Sequence, residues 1–167
     1  MRLAAVSGLR ATFGPALIAV AHDRPEKRAL AIAALGEMVV DKLPFVPSRS
    51  RLPLLLPRVV SGYWTAKQSL EHDGVTDPSS AAMGAAVAAG VAIAAPLVRA
   101  TLRSILGVPD IALGAAEDYL ALKVGSEAAG LSMDQLKEVG LGAISQVRHG
   151  AVPAIAQIKQ RFQPSHS

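Results

Sequence analysis

The stretch "AAMGAAVAAGVAIAAPLV", residues 81–98, decides the class of fold that this sequence predicts. It runs for 18 residues without a charged side chain. A helix of this length reaches about 27 Å, close to the thickness of the hydrocarbon core of a bilayer. Ser79 or Ser80, after Asp77-Pro78, is expected to cap its start. We therefore expect a membrane-spanning helix; a buried, alanine-rich helix of a soluble bundle is the alternative.

The composition of the whole chain also favours lipid as the surrounding solvent. Of the 167 residues, 51% are apolar and 18% are charged, and the mean hydropathy is positive. Soluble domains carry roughly 25% charged residues. The chain has no cysteine, which excludes disulfides and thiolate metal sites. Its length is that of one domain.

The positive net charge does not indicate nucleic acid. The net charge is +4 and the pI is about 9.8, but Lys and Arg are dispersed and mixed with acids, as in "DRPEKR", residues 23–28. Aromatic residues for base stacking are few. Cationic residues at a membrane edge explain the same excess, so we expect a lipid bilayer and no nucleic acid as partner.

Four weaker apolar runs, each interrupted by charge, glycine or proline, predict further spans. The five predicted spans lie near residues 3–21, 29–45, 53–70, 80–98 and 104–123. The sequence thus predicts an all-α, multi-span helical membrane bundle with broken helices in residues 1–123. Basic residues on alternate loops leave the orientation open.

The N-terminal run has two interpretations. Ala19-Val20-Ala21 resembles a signal-peptidase site, which would make residues 1–21 a cleaved leader. Gly14-Pro15 breaks the apolar part, however, and leaves it short for a signal peptide. We interpret the run as the first, broken helix of the domain.

Residues 124–167 predict a peripheral tail. Ser132 and Gln135 have capping-box spacing at the start of an amphipathic helix that is expected to end at Gly150. A second amphipathic helix is expected around Pro153, followed by a disordered end. Such a tail either lies on anionic lipid or docks on the helical core.

Small residues in the 81–98 helix predict a close helix contact. They recur at spacing four, which lets a neighbouring backbone approach. A homo-oligomer could use them, through Gly84, Ala88 and Gly90.

A faint internal repeat links "GLRATFGPALIAVA", residues 8–21, with "TLRSILGVPDIALGA", residues 101–115. The matched pairs are Arg10 with Arg103, Gly14 with Gly107 and Pro15 with Pro109. Transporters built from two inverted halves leave such traces, and alanine-rich chains also align with themselves by chance.

Ionisable residues within the apolar runs form the candidate site. A charge at the centre of a bilayer costs at least about 2.5 kcal/mol, so each needs a partner, a bound ion or a place at the interface. The acids are Glu37, Asp41, Glu117 and Asp118, and the expected counter-charges are Lys42, Arg10, Arg58 and Arg103. We expect Glu117 or Asp118 to face Arg99 or Arg103. Asp41-Lys42 before Leu43-Pro44 is also typical of a helix end leaving the membrane.

Signatures of catalysis are weak. The four histidines lack the spacing of a metal-binding helix, and no GxSxG motif or phosphate-binding glycine loop occurs. We therefore expect no enzyme, no metal site and no cofactor.

Three segments carry a family resemblance: "GLRATFGPALIAVA", "LGEMVVDKLPFVPSRS" followed by "RVVSG", and "LGVPDIALGAAEDYLAL". They resemble a family of small bacterial integral-membrane proteins known as a domain of unknown function, number four-one-two-six. The match covers roughly residues 5 to 123. The resemblance implies a compact multi-pass domain in the bacterial inner (plasma) membrane and carries no activity or ligand.

Two functions fit these features, besides a soluble bundle of no assigned role. The first is passage or exchange of a small solute or ion through the intramembrane acids and arginines, since buried ionisable residues mark pathways. The second is a non-transporting scaffold whose ion pairs lock helix packing and whose small-residue face binds a partner.

Overall fold

The computed structural model describes the backbone of residues 1–40 and 52–161 and the side chains of residues 1–40 and 55–149. Within these ranges the chain forms helices and no strand, which confirms the all-α class. The helices are α1 (Arg2–Leu9), α2 (Phe13–Ala21), α3 (Lys27–Val40), α4 (Leu52–His72), α5 (Pro78–Leu106), α6 (Asp110–Ala129) and α7 (Met133–Arg161).

Helix α5 begins and ends at signals that differ from the predicted ones. Its N-cap is Asp77, whose carboxylate accepts the N–H groups of Ser79 at 3.0 Å and Ser80 at 3.2 Å. The expected caps at Ser79 and Ser80 are therefore wrong, because both hydroxyls donate to Asp77. The helix continues past residue 98 and ends before Gly107, which adopts a left-handed φ of 63°.

The predicted fifth span at 104–123 does not coincide with one helix, because Gly107 ends α5 inside it. Its first three residues belong to α5, and α6 starts only after Pro109 and runs to Ala129. Arg99 and Arg103 lie inside α5, because charged residues are compatible with a helix. A left-handed glycine is what ends the helix.

The capping box at the start of α7 is confirmed. The Ser132 N–H donates to Gln135 Oε1 at 2.8 Å, and the Gln135 N–H donates to Ser132 Oγ at 3.2 Å. The predicted stop at Gly150 is wrong, because α7 continues as one helix to Arg161. A single glycine costs a helix only about 1 kcal/mol.

Small residues let α4 and α5 pack closely within the chain. A Cβ added at Gly62 would lie 2.8 Å from the Gly84 carbonyl oxygen, and one added at Gly84 would lie 2.9 Å from the Gly62 oxygen. Gly84 and Ala88 are thus buried against neighbours in the same chain, whereas Gly90 is exposed with open space around it. Of the residues expected to support a homo-oligomer, Gly90 alone remains on the surface, and that contact stays a prediction.

Helix α2 lies in the core, and α5 displays apolar side chains on its surface. Leu17, Ile18 and Ala19 of α2 are buried. Within the described ranges, α5 is the one helix long and apolar enough to cross a membrane, and 22% of its most apolar stretch is buried. Leu97 and Ile105 are among its exposed side chains. The remaining predicted spans stay predictions.

Candidate functional site

The first apolar run breaks at residues 10–12, as the interpretation of a broken helix requires. Helix α1 ends at Leu9, and Arg10 is extended, with φ −138° and ψ 115°. Helix α2 then begins at Phe13. Gly14-Pro15, the expected breaker, lies in the first turn of α2, where proline is tolerated. The break leaves backbone N–H groups in the interior that need acceptors.

Glu37 of α3 supplies those acceptors. Its carboxylate accepts the N–H groups of Ala11 and Thr12, both at 2.9 Å, and the Thr12 hydroxyl at 2.7 Å. Arg58 of α4 reaches the same carboxylate at 3.2 Å. An acid is favoured at this position, because the start of α2 carries unsatisfied donors and the positive end of the helix dipole. Glu37 therefore caps a helix that lies elsewhere in the sequence.

Ser61 of α4 completes the contacts of the break. Its hydroxyl donates to the carbonyl oxygen of Ala11. The backbone of the break is thus bound on both its donor and its acceptor sides by side chains from two other helices, α3 and α4. Sequence reasoning missed Ser61, since a lone serine in an apolar helix carries no distinctive signal.

Arg10 and Asp118 form the most deeply buried ion pair of the described residues. Their side chains are 1% and 5% exposed. Arg10 Nε donates to Asp118 Oδ1 at 2.9 Å, and Arg10 Nη2 contacts the same oxygen. The pair connects the break to α6. Four of the predicted site residues, Arg10, Glu37, Arg58 and Asp118, therefore meet at the break, two of each sign.

A second charged cluster joins α5 to α6. Arg99 donates through Nε to Asp110 Oδ1 at 2.8 Å and through Nη2 to Oδ2 at 2.7 Å, and its Nη1 lies 3.5 Å from Glu117. Glu117 thus faces Arg99, one of the two arginines considered. Arg103 is exposed and enters no ion pair within the described ranges. Asp110 was not predicted, although an acid directly after Pro109 is typical of a helix start.

Asp41 and Lys42 lie outside the described residues.

The proposed internal repeat stays a prediction. Its matched arginines have different surroundings: Arg10 is buried at the α1–α2 break, whereas Arg103 is exposed in the last turn of α5. Among the described residues, no group of three or more His, Asp or Glu side chains could hold a metal ion.

A buried hydroxyl pair lies close to the break. Ser7 of α1 and Thr65 of α4 are fully buried, and their hydroxyl oxygens are 3.1 Å apart. Ser7 also donates to the Leu3 carbonyl oxygen at 3.2 Å. A Cβ added at Gly14 would lie 2.8 Å from Thr65 Oγ1, so the glycine is what allows α2 to approach this pair.

Two histidine rings stack at the C-terminal ends of α2 and α4. The centroids of His22 and His72 are 4.0 Å apart with an interplanar angle of 23°. Beside them, the Arg24 guanidinium lies 5.7 Å from the centre of the Trp64 ring. Burial, and then the charges of His72 and Arg24, lower the pKa of His22, against a smaller opposing effect of Asp73.

Comparisons with protein-family models, curated proteins and solved structures found no match to this chain. The resemblance to the membrane family of unknown function therefore stays a prediction.

Proposed function

We propose that the protein is an integral membrane protein that moves a small solute or ion, and that the helix break at residues 10–12 is its binding site. The observation that carries the proposal is the break itself, where irregular backbone meets two carboxylates and two guanidiniums inside an apolar bundle. In membrane proteins, irregular backbone and charges at depth are costly and concentrate at substrate sites between broken helices.

The surroundings of the break support a membrane setting. The apolar helix α5 keeps most of its surface exposed, with Leu97, Ile105 and Leu106 among the exposed side chains. Soluble proteins rarely expose large contiguous apolar patches. Lipid would cover this surface at no cost, because acyl chains are as apolar as the side chains.

Glu37 is the side chain best placed to exchange its hydrogen-bond donors for a transported ligand. Its carboxylate holds two backbone N–H groups, one hydroxyl and one guanidinium. When Glu37 takes up a proton, its hold on these donors weakens, since a neutral carboxyl is a poorer acceptor than a carboxylate. The released donors at the start of α2 then favour a small anion. A proton and an anion would therefore bind together.

The membrane setting is tested first, by fractionation. We expect the expressed protein to sediment with membranes and to resist extraction with alkaline carbonate. Recovery of the full chain as a monodisperse solution in buffer without detergent would refute the proposal.

Transport is tested in proteoliposomes loaded with a pH-sensitive dye. We expect a gradient of a small carboxylate to drive proton movement with wild-type protein, and Glu37→Gln to abolish it while the protein stays folded. The matched control is Asp110→Asn, which changes a half-exposed carboxylate outside the break. If wild-type vesicles behave like empty ones across a panel of small anions and cations, the proposal fails.

A scaffold is the second candidate, and one observation favours it. Each buried carboxylate of the break faces an arginine from another part of the chain: Asp118 pairs with Arg10, and Glu37 pairs with Arg58. Such pairs can serve helix registration alone. In that case Glu37→Gln lowers the melting temperature and no solute moves with wild-type protein.

A further inference from the structure

A cavity of about 260 Å³ lies between α2, α3, α6 and α7, and the charged residues of the break do not line it. Its walls include Phe13 and Leu17 of α2, Met38 of α3, Leu122 of α6 and Leu136 of α7. The volume is slightly below the roughly 300–1,000 Å³ typical of sites for drug-sized ligands. The cavity therefore suits a slender occupant.

The walls of the cavity offer water few hydrogen-bond partners. Among the described residues that line the cavity, all except Lys137 are apolar. A buried water needs two to four polar partners, which these walls do not provide. A hydrocarbon occupant gains roughly 25 cal/mol for each Å² of apolar surface that it buries.

Lys137 gives the cavity one charged edge. It lies on α7 one turn after Met133, and its side chain is 70% exposed, so the aliphatic stem lines the cavity while the ammonium group reaches solvent. Its partner within the chain is Asp134, at 3.2 Å and itself exposed. Such surface pairs are worth about 0–1 kcal/mol, and an incoming anion can compete for the ammonium group.

We propose that this cavity binds the acyl chain of a free fatty acid, with the carboxylate paired to Lys137. The apolar walls select the hydrocarbon chain, and Lys137 selects an acid over an alcohol or an amine. The small volume selects one chain over the two chains of a phospholipid. The inference is independent of transport at the helix break, because none of the residues of the break lines the cavity.

The test uses the full chain in nanodiscs of zwitterionic phosphatidylcholine. Trp64 is the single tryptophan of the chain and packs against the core, so energy transfer from it reports bound cis-parinarate, a fluorescent fatty acid. Empty nanodiscs with free tryptophan give the background. We expect saturable transfer that decanoate displaces better than decanol does.

Three variants make the test specific. Ala34→Phe places a ring in the cavity and is expected to abolish the saturable transfer. Lys137→Gln is a surface change that leaves packing intact, and it is expected to weaken decanoate about two- to fivefold without changing decanol. Lys123→Gln, an exposed lysine of α6 outside the lining, is the matched control and should change neither ligand.

The possible outcomes separate the proposal from its rivals. Decanoate that binds equally to wild-type protein and Lys137→Gln would overturn it, as would transfer that persists in a folded Ala34→Phe variant. Displacement by phosphatidylglycerol at the same concentration as decanoate would also overturn it and would make a membrane phospholipid the occupant.

Discussion

Replacing Asp118 by alanine is expected to destabilise the protein strongly, since it removes one member of a buried ion pair. Arg10 and Asp118 are almost fully buried, and Arg10 Nε donates to the carboxylate at 2.9 Å. Removing one partner of such a pair costs about 3–5 kcal/mol, because the remaining charge is desolvated without its counter-charge. The expected loss of stability is large because the remaining charge is buried, and the attraction between the two side chains contributes less.

The matched control is Asp110→Ala, which removes a carboxylate from an equally well-formed pair at the surface. Arg99 binds Asp110 through two nitrogens at 2.7 and 2.8 Å, but the Asp110 side chain is 53% exposed. Surface pairs contribute about 0–1 kcal/mol. We therefore expect Asp110→Ala to lower the free energy of unfolding by no more than about 1 kcal/mol.

The assay is unfolding in mixed micelles of a mild detergent and SDS, followed by circular dichroism. A third variant, Arg10→Met with Asp118→Leu, removes both charges and is expected to recover most of the loss, because apolar residues of similar size can replace a buried pair. If Asp118→Ala destabilises the protein no more than Asp110→Ala does, the reasoning from burial is wrong. If the double variant is as unstable as the single one, the two residues are not energetically coupled.

Three further outcomes are expected. Gly62→Ala should lower the free energy of unfolding by about 1–3 kcal/mol, since its Cβ would meet α5, whereas Gly90→Ala, with open space around it, should be neutral or stabilising in the same titration. Because the pKa of His22 is lowered from 6.5, the unfolded state binds more protons below that pH, so the melting temperature should fall on acidification. His22→Gln should reduce this pH dependence, and an unchanged profile would contradict the assignment. Ser132→Ala should cost about 1 kcal/mol through loss of the α7 cap, and Ser145→Ala, a mid-helix serine, should cost less in a thermal melt.

Local signals in the sequence were sufficient for some elements. The uncharged stretch at 81–98 identified most of α5, and the Ser132 and Gln135 spacing identified the start of α7. Both depend on contacts between residues close in sequence, which is what periodicity and capping rules describe. The helix bounds failed at Gly107 and Gly150, because a glycine can either end a helix in a left-handed conformation or be tolerated inside it, and residue type does not separate the two cases.

The candidate site was predictable by residue type and not by role. An acid in an apolar helix marked Glu37, but its function as a cap for α2 depends on backbone donors 25 and 26 residues earlier in the chain. Arg10 and Asp118 were each identified, yet their pairing joins positions 108 residues apart, which no local pattern encodes. Asp110 was missed because an acid at a helix start has an adequate local explanation.

The distance along the chain between Arg10 and Asp118 has a consequence for biosynthesis. The Arg10 guanidinium leaves the ribosome well before its carboxylate partner, which is made 108 residues later. Until α6 emerges, the break at residues 10–12 lacks its contact with Asp118, and it is held by contacts with α3 and α4 or shielded by the insertion machinery. Nascent chains that end before residue 118 should therefore be far more sensitive to protease near residue 10 than completed ones.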